Sequence, residues 1–209
     1  MDKGLFTGVV MIDLRKAFDV VDHALLLRKL EICGLDFNTL KWFQSYLDGR
    51  SQKVCIDGML SKPLLIESGV PQGSILGPAL FLIFINDLPL ALANNIGLYA
   101  DDSTLYASGS TLPEVEEKLK PDLIDVSTWV KDNKMKLHQS KTKYSIICSC
   151  QKLANSLSQS LNLTFDGEPI TQVKSERVLG VYIDNHLTWS THIEKLHQKL
   201  LKRKAVLAR

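Results

Sequence analysis

The sequence contains no apolar run long enough to cross a membrane. The longest run, at 75–85, is interrupted by Gly77 and Pro78 and is followed by Asn86 and Asp87. It is well short of the roughly 20 apolar residues that a membrane-spanning helix needs. The N-terminus also lacks the basic segment and apolar stretch of a secretory signal. We therefore expect no membrane partner, and the run at 75–85 is typical of a buried helix.

Cysteine is scarce, and neither sign of charge dominates. The 4 cysteines are too irregularly spaced for a disulfide framework or a paired zinc site, which predicts free thiols in a reducing compartment. The 25 basic and 23 acidic residues give a net charge of +2, which argues neither for nor against a polyanionic partner. A chain of 209 residues can bury the core of one domain.

The hydrophobic patterns predict an α+β fold with an antiparallel sheet backed by helices. A short β-branched run at 8–13 predicts a buried strand that ends at Asp13, and Asp57-Gly58 predicts the turn of a hairpin. Pro121 is expected to kink or split a long helix. Helices are predicted at 22–34, 37–47, 75–85, 113–132 and 189–209, and further strands at 143–148, 161–165 and 178–183.

Two adjacent carboxylates, Asp101 and Asp102, lie between two predicted strands. Aspartate is a common turn residue, so an ordinary hairpin turn explains the pair when it is considered alone. Asp13, however, ends another strand, and a hairpin can bring all three acids to one rim of the sheet. Carboxylates so close together raise one another's pKa unless cations lie between them, and Mg²⁺ prefers such oxygen ligands. Two such ions would suit nucleotidyl transfer, although the pattern alone does not establish that the acids meet.

The order of motifs resembles the reverse transcriptases. The segment "VVMIDLRKAFDVVDH" at 9–23 resembles polymerase motif A, "SGVPQGSILGPALF" at 68–81 resembles motif B, and "YADD" at 99–102 resembles motif C. Nearly the whole chain is similar to LINE-type, jockey-like non-LTR retrotransposon enzymes. The resemblance implies a right-hand polymerase palm at 1–176 with the fingers absent. It also implies a primer-holding hairpin and the start of a truncated thumb at 177–209.

The resemblance also implies the reaction and its metal ligands. Asp13, Asp101 and Asp102 would bind two Mg²⁺ ions, with Mn²⁺ as a possible substitute, and the backbone carbonyl of Leu14 would complete one metal site. The chain would then be an RNA-directed DNA polymerase that adds a dNTP to a DNA primer on an RNA template. An active element of this kind works in the nucleus, and the sequence does not indicate an oligomeric state.

Four further residues correspond to substrate-binding positions of the family. Phe18 matches the aromatic residue that excludes a 2′-hydroxyl, although most aromatic residues are simply core residues. Gln72 and Gly73 match residues beside the incoming nucleotide, although a tight loop before a helix needs the same glycine. Lys141 matches a lysine near the triphosphate, although exposed lysines are usually only solvated. His138 departs from the family, which has asparagine there.

Three readings of function remain open from the sequence. In the first, the chain is a reverse transcriptase palm, and the six basic residues after Glu194 contact phosphates of a duplex rather than only solvent. In the second, it is a truncated, inactive retrotransposon remnant that at most binds nucleic acid. In the third, it is another palm-type nucleotidyltransferase, such as an RNA-templated RNA polymerase or a cyclase, and Phe18 and the motif B wording disfavour this reading.

Overall fold

The chain folds into a mixture of helices and short strands. The computed structural model describes residues 4–154 and 160–207, the last three of them by backbone alone. The helices are α1 (His23–Ile32), α2 (Phe37–Leu47), α3 (Leu76–Ile85), α4 (Leu112–Asp132), α5 (Cys150–Ala154) and α6 (Ser190–Leu207), with a 3-10 turn at Leu88–Ala91. The strands are β1 (Phe6–Asp13), β2 (Ser51–Gln52), β3 (Cys55–Ile56), β4 (Met59–Leu60), β5 (Leu64–Leu65), β6 (Asn95–Tyr99), β7 (Asp102–Gly109), β8 (Lys143–Ile147), β9 (Thr164–Phe165), β10 (Glu168–Pro169), β11 (Thr171–Gln172), β12 (Ser175–Val178) and β13 (Val181–Asp184).

Five of the strands form one sheet, in the order β11-β8-β1-β7-β6. The pairs are antiparallel, as expected, except that the edge strand β11 runs parallel to β8. The central position of β1 explains its apolar, β-branched sequence, because it is hydrogen-bonded on both edges. The α+β character expected from the sequence is confirmed.

Helix α4 packs across strands β1 and β7 on one face of the sheet. Val10 of β1 and Leu105 of β7 are fully buried beneath it. Gly8 lies in the middle of β1 because a Cβ there would stand 2.7 Å from Val115 and 2.8 Å from Leu119 of the helix. The opposite face of the sheet carries the alternate residues of each strand, and Asp13 and Asp102 belong to that face.

The helix boundaries follow local capping chemistry. The side chain of Asp22 accepts a hydrogen bond from the Leu25 amide and begins α1, and Gly34, with φ +91°, follows its end, as the sequence predicted. The expected split at Pro121 is wrong, because α4 continues through that residue without interruption. Packing of its long apolar stripe against the sheet outweighs the loss of one backbone donor.

The hairpin predicted around Asp57-Gly58 is present as two nested strand pairs, β3–β4 and β2–β5. The single strand expected at 178–183 is instead the two strands of a hairpin, β12 and β13, because Leu179 and Gly180 both have positive φ. The strand expected at 161–165 is only β9. Arg209, one of the six basic residues noted above, lies outside the described residues.

The four cysteines all lie in the described part of the chain and are free thiols, as expected. Among the described residues, no helix combines the length and the apolar character needed to span a membrane.

Candidate active site

The ladder between β1 and β7 brings the first two acids together. Asp13, the last residue of β1, pairs directly with Asp102, the first residue of β7. Directly opposed residues of an antiparallel pair lie on the same face with Cβ atoms about 5 Å apart. Ordinary strand pairing therefore accounts for the meeting of two carboxylates that are distant in sequence.

The third acid stands at the turn that joins β6 to β7. Ala100, with φ +52°, and Asp101 connect the two strands, so the turn and the acid pair are one feature. Partial burial is the main cause that raises the pKa of Asp102, and the negative charges of Asp101 and Asp13 raise it further. The negative charges of Asp101 and Asp13 therefore both act on Asp102.

The segment after α4 lies against the end of β1. The His138 amide donates to the Asp13 carbonyl at 2.7 Å, and the Asp13 amide donates to Thr142 Oγ1 at 3.4 Å. Because successive peptide groups of a strand face opposite edges, these bonds turn the carbonyl of Leu14 toward the β7 edge, where Asp101 and Asp102 lie. This orientation is the one that a ligand role for the Leu14 carbonyl requires.

A cleft of about 630 Å³ opens in front of these acids. Asp13 and Asp101 line it together with three cationic side chains, those of Arg15, Lys16 and Lys141. Acidic and basic residues thus line the same cleft, which is the combination that metal-bound phosphate groups need.

Phe18 lines the cleft and also packs against the core. Its ring stacks on Phe81 of α3, with the ring centroids 4.5 Å apart. The sequence left open whether Phe18 is a core residue or a substrate-binding residue. In the structure its side chain both packs on the core and borders the cleft.

The loop before α3 brings Gln72 and Gly73 to the same cleft. Gln72 Nε2 donates to Asp19 Oδ1 at 2.7 Å, and the Val70 amide donates to the Phe18 carbonyl at 2.8 Å. Gly73 has φ +79°, and a Cβ there would have no neighbour within 4 Å. The loop is thus bonded to the segment that follows Asp13.

Lys141 stands at the edge of the acid group. Its Nζ lies 3.6 Å from Asp13 Oδ2, and its side chain is 62% exposed. An ion pair this long and this exposed stabilises the fold little. Lys141 therefore remains accessible to a bound phosphate.

The donor chemistry of the site fits Mg²⁺, although the side chains are not gathered around one point. Across residues 4–154 and 160–207, no group of three or more His, Cys, Asp and Glu side chains forms a metal-holding cluster. Asp13, Asp101 and Asp102 provide hard oxygen ligands, which Mg²⁺ prefers. A cation would also offset the burial and the repulsion from Asp101 and Asp13 that raise the pKa of Asp102.

The β12–β13 hairpin covers the sheet next to the acids. Glu176 of β12 forms a 2.6 Å ion pair with Lys143 of β8, and both residues line a second groove that reaches Asp13 and Asp102. Asp184 ends β13 and accepts hydrogen bonds from the amides of His186, Thr188 and Trp189. These bonds fix the turn that leads into the basic helix α6.

The family profile described as reverse transcriptase (RNA-dependent DNA polymerase) matches residues 2–182. The chain belongs to the reverse transcriptase family. Asp13, Phe18, Gln72, Asp101, Asp102 and Lys141 all lie within the matched part. Membership of this family disfavours the RNA polymerase and cyclase reading of the sequence.

Curated relatives are the reverse transcriptases of non-LTR retrotransposons. The chain is 29% identical over 97% of its length to the RNA-directed DNA polymerase from mobile element jockey of Drosophila funebris, and this match covers 22% of that protein. It is also 29% identical over 95% of its length to the probable RNA-directed DNA polymerase from transposon BS of Drosophila melanogaster, again over 22% of that protein. The chain thus spans about a fifth of the length of these relatives.

A solved reverse transcriptase fold shares the architecture. An apo telomerase from Candida tropicalis, truncated from its C-terminal domain, superposes with a TM-score of 0.56 at 14% identity. The match covers 88% of this chain and 35% of the telomerase. The match to the telomerase therefore supports the α+β fold of this chain.

Three contributors to the site were not found in the sequence. Thr142 and His138 bond the backbone of Asp13, and Asp19 bonds Gln72. Asp19 lies in the motif A segment beside Phe18, so its position was a usable signal. In the sequence, His138 stands out only as a departure from the family, and Thr142 gives no signal. The bonds that they make to Asp13 depend on how the segment after α4 lies against β1.

Proposed function

We propose that the chain carries the polymerising centre of a retrotransposon RNA-directed DNA polymerase. The observation that carries the proposal is the direct pairing of Asp13 with Asp102, with Asp101 at the adjoining turn, in a member of the reverse transcriptase family. In this proposal residues 1–176 are the palm, and residues 177–209 are the primer-holding hairpin and the start of the thumb.

In this proposal Asp13, Asp101, Asp102 and the Leu14 carbonyl hold two Mg²⁺ ions, or Mn²⁺ in their place. When bound, the ions supply an activated primer 3′-hydroxyl and charge stabilisation for the leaving pyrophosphate. Strand pairing places the backbones of Asp13 and Asp102 side by side before any substrate arrives. This preorganisation is supported by the main-chain bonds on both sides of Asp13.

The remaining cleft residues select and orient the dNTP. Phe18 crowds the 2′ position of the sugar, and Gln72 and Gly73 lie beside the base pair that the RNA template forms with the nucleotide. Lys141 neutralises the triphosphate, and its exposed amine supports that role. Arg15 and Lys16 add positive charge at the same cleft.

The test is primer extension on an RNA template with Mg²⁺ and dNTPs. We expect extension by the chain and its loss in Asp101→Asn, because one carboxylate ligand becomes a neutral amide. Asp57→Asn, at the hairpin turn between β3 and β4, is the matched control and retains extension. Extension that survives Asp101→Asn would contradict the assigned site.

The alternative is an inactive fragment that at most binds nucleic acid, and the same assay separates it. Template binding without extension in the wild-type chain supports that alternative.

A further inference from the structure

A row of three side chains leads away from the cleft along helix α2. The Arg50 guanidinium carbon lies 5.5 Å from the centre of the Tyr46 ring. Tyr46 in turn stacks on Trp42, with centroids 5.6 Å apart and ring planes only 8° from parallel. Trp42 ends the row and is 54% exposed. We call Arg50, Tyr46 and Trp42 the aromatic row.

The aromatic row is continuous with the candidate active site. A groove lined by Arg50 also includes Lys16 and Gln72. Those last two residues line the cleft in front of Asp13 as well. The path therefore runs from the acids past Gln72 to Arg50, and then over Tyr46 to Trp42.

Arg50 is fixed in place by the neighbouring hairpin. Its carbonyl accepts a 2.8 Å hydrogen bond from the Ile66 amide, next to the β2–β5 pair. This bond holds the Arg50 backbone beside the groove, and the stacking of Tyr46 on Trp42 orients the two rings against each other.

The chemistry of the aromatic row suits unpaired bases. The exposed ring of Trp42 is backed by the half-buried ring of Tyr46, which Arg50 also contacts. An exposed aromatic ring supported in this way offers a surface on which a base can stack, whatever its sequence. The groove is lined by two basic residues, Lys16 and Arg50, and by two acidic residues, Asp19 and Glu67, so it carries no net charge. Stacking, rather than attraction to phosphate groups, therefore has to supply the affinity for RNA.

We propose that the aromatic row binds the unpaired RNA template ahead of the polymerising site. The direction follows from the arrangement of the chain. Strand β12 lines a groove together with Asp102, whereas Arg50 of the row lines the groove that includes Gln72. The inference rests on the proposed function for the identity of the strand.

The same helix offers a matched control. Phe37 is also an exposed aromatic residue, 68% exposed, and Lys41 stands 4.4 Å over its ring. Phe37 and Trp42 are five residues apart, which separates them by about 140° around the helix. The buried Leu47 packs the helix to the core, and Phe37 begins the helix at the end opposite to Arg50.

The experiment measures binding of a fluorescent RNA template–DNA primer duplex by anisotropy, without dNTP. One duplex has about eight unpaired template nucleotides, within the range that a stacking platform occupies, and the other has a single unpaired nucleotide. For Trp42→Ala we expect about tenfold weaker binding of the long overhang, since stacking of a base on an aromatic ring contributes about 1–3 kcal/mol. The short overhang should bind unchanged.

The controls isolate the aromatic row from other causes. Trp42→Phe should keep most of the affinity, and Phe37→Ala should keep all of it. The loss in Trp42→Ala should not depend on salt concentration, because stacking releases no counterions. Circular dichroism verifies that each variant is folded.

Three outcomes would overturn the inference. The first is equal weakening by Phe37→Ala, and the second is equal weakening on both duplexes. The third is a change of oligomeric state in Trp42→Ala with RNA binding intact, which would make the row a protein contact. Asp101→Asn should retain the preference for the long overhang, so failure of the proposed chemistry remains distinguishable from failure of this inference.

Discussion

At the scale of single residues, the Asp102 carboxylate that the proposed site uses also lowers the stability of the fold. Burial and the neighbouring Asp101 and Asp13 raise its pKa, so the folded chain binds this proton more tightly than the unfolded chain does. The free energy of unfolding therefore falls as pH rises from the ordinary value of 3.8 through the raised pKa. At neutral pH the ionised side chain lowers the stability of the fold.

We predict that Asp102→Asn has a higher Tm than the wild type at neutral pH without metal. The difference should shrink as the pH is lowered below the Asp102 pKa, because the wild-type carboxylate is then protonated. Thermal melts followed by circular dichroism across this pH range provide the measurement. A Tm for Asp102→Asn at or below that of the wild type, with Asp57→Asn as reference, would refute the electrostatic account.

Phe18 combines a packing role with a proposed role in sugar selection. We predict that Phe18→Ala incorporates rNTPs more readily, because it removes the ring that crowds the 2′ position. Loss of the stacking on Phe81 should also destabilise the fold by about 1–3 kcal/mol. Primer extension with dNTPs and rNTPs gives the selectivity ratio, and urea unfolding gives the stability. An unchanged ratio in a folded variant would remove the selective role.

At the scale of elements, the loop before α3 depends on glycines for two different reasons. Gly69 has φ +93°, and a Cβ there would lie 2.7 Å from the Asp19 carbonyl oxygen. Gly73 has φ +79° but open space around it. The first glycine permits a close backbone approach as well as the turn, whereas the second permits only the turn.

We therefore predict that Gly69→Ala destabilises the fold more than Gly73→Ala. The positive φ alone should cost about 1–2 kcal/mol at either position, and the clash with Asp19 adds to that cost at Gly69. Urea unfolding of the two variants provides a direct comparison. Equal losses of stability would mean that the loop can move away from Asp19 without cost.

At the scale of the whole molecule, Asp87 ties together three helices. It accepts hydrogen bonds from Lys29 Nζ of α1 at 2.8 Å and from Trp129 Nε1 of α4 at 2.9 Å, just after the end of α3. The Lys29 side chain is only 13% exposed, and its burial lowers its pKa although Asp87 acts to raise it. The cation therefore depends on Asp87 for compensation.

We predict that Asp87→Asn lowers the free energy of unfolding by about 1–3 kcal/mol, because it leaves Lys29 buried beside a neutral partner. Lys29→Met in the Asp87→Asn background should restore part of the loss, since no buried charge then remains. Urea unfolding of the two variants measures both effects. A double variant less stable than Asp87→Asn alone would show that the ammonium group itself holds the helices together.

Local signals in the sequence predicted most elements, including the strand that ends at Asp13, whereas the metal-binding role of the three acids stays a prediction. Asp22 and Gly34 marked the ends of α1 because capping is a local interaction. Pro121 does not split α4, because its local cost is smaller than the gain from packing α4 on the sheet. The Asp87 tie and the support of Asp13 by Thr142 were not predicted, since they join residues far apart in sequence without any periodic pattern.

The register of β1 against β7 determines which residue lies opposite Asp13 in the proposed catalytic centre. Every residue between Phe6 and Asp13 has a fixed partner between Asp102 and Gly109, and Asp13 meets Asp102 at the end of that count. Lengthening the hairpin at Asp57-Gly58 leaves the count unchanged. Deleting a single residue within β7 would shift one acid past the other and turn alternate side chains to the wrong face. The fold therefore tolerates variation in loop length while it forbids even one step of slippage along this pair of strands.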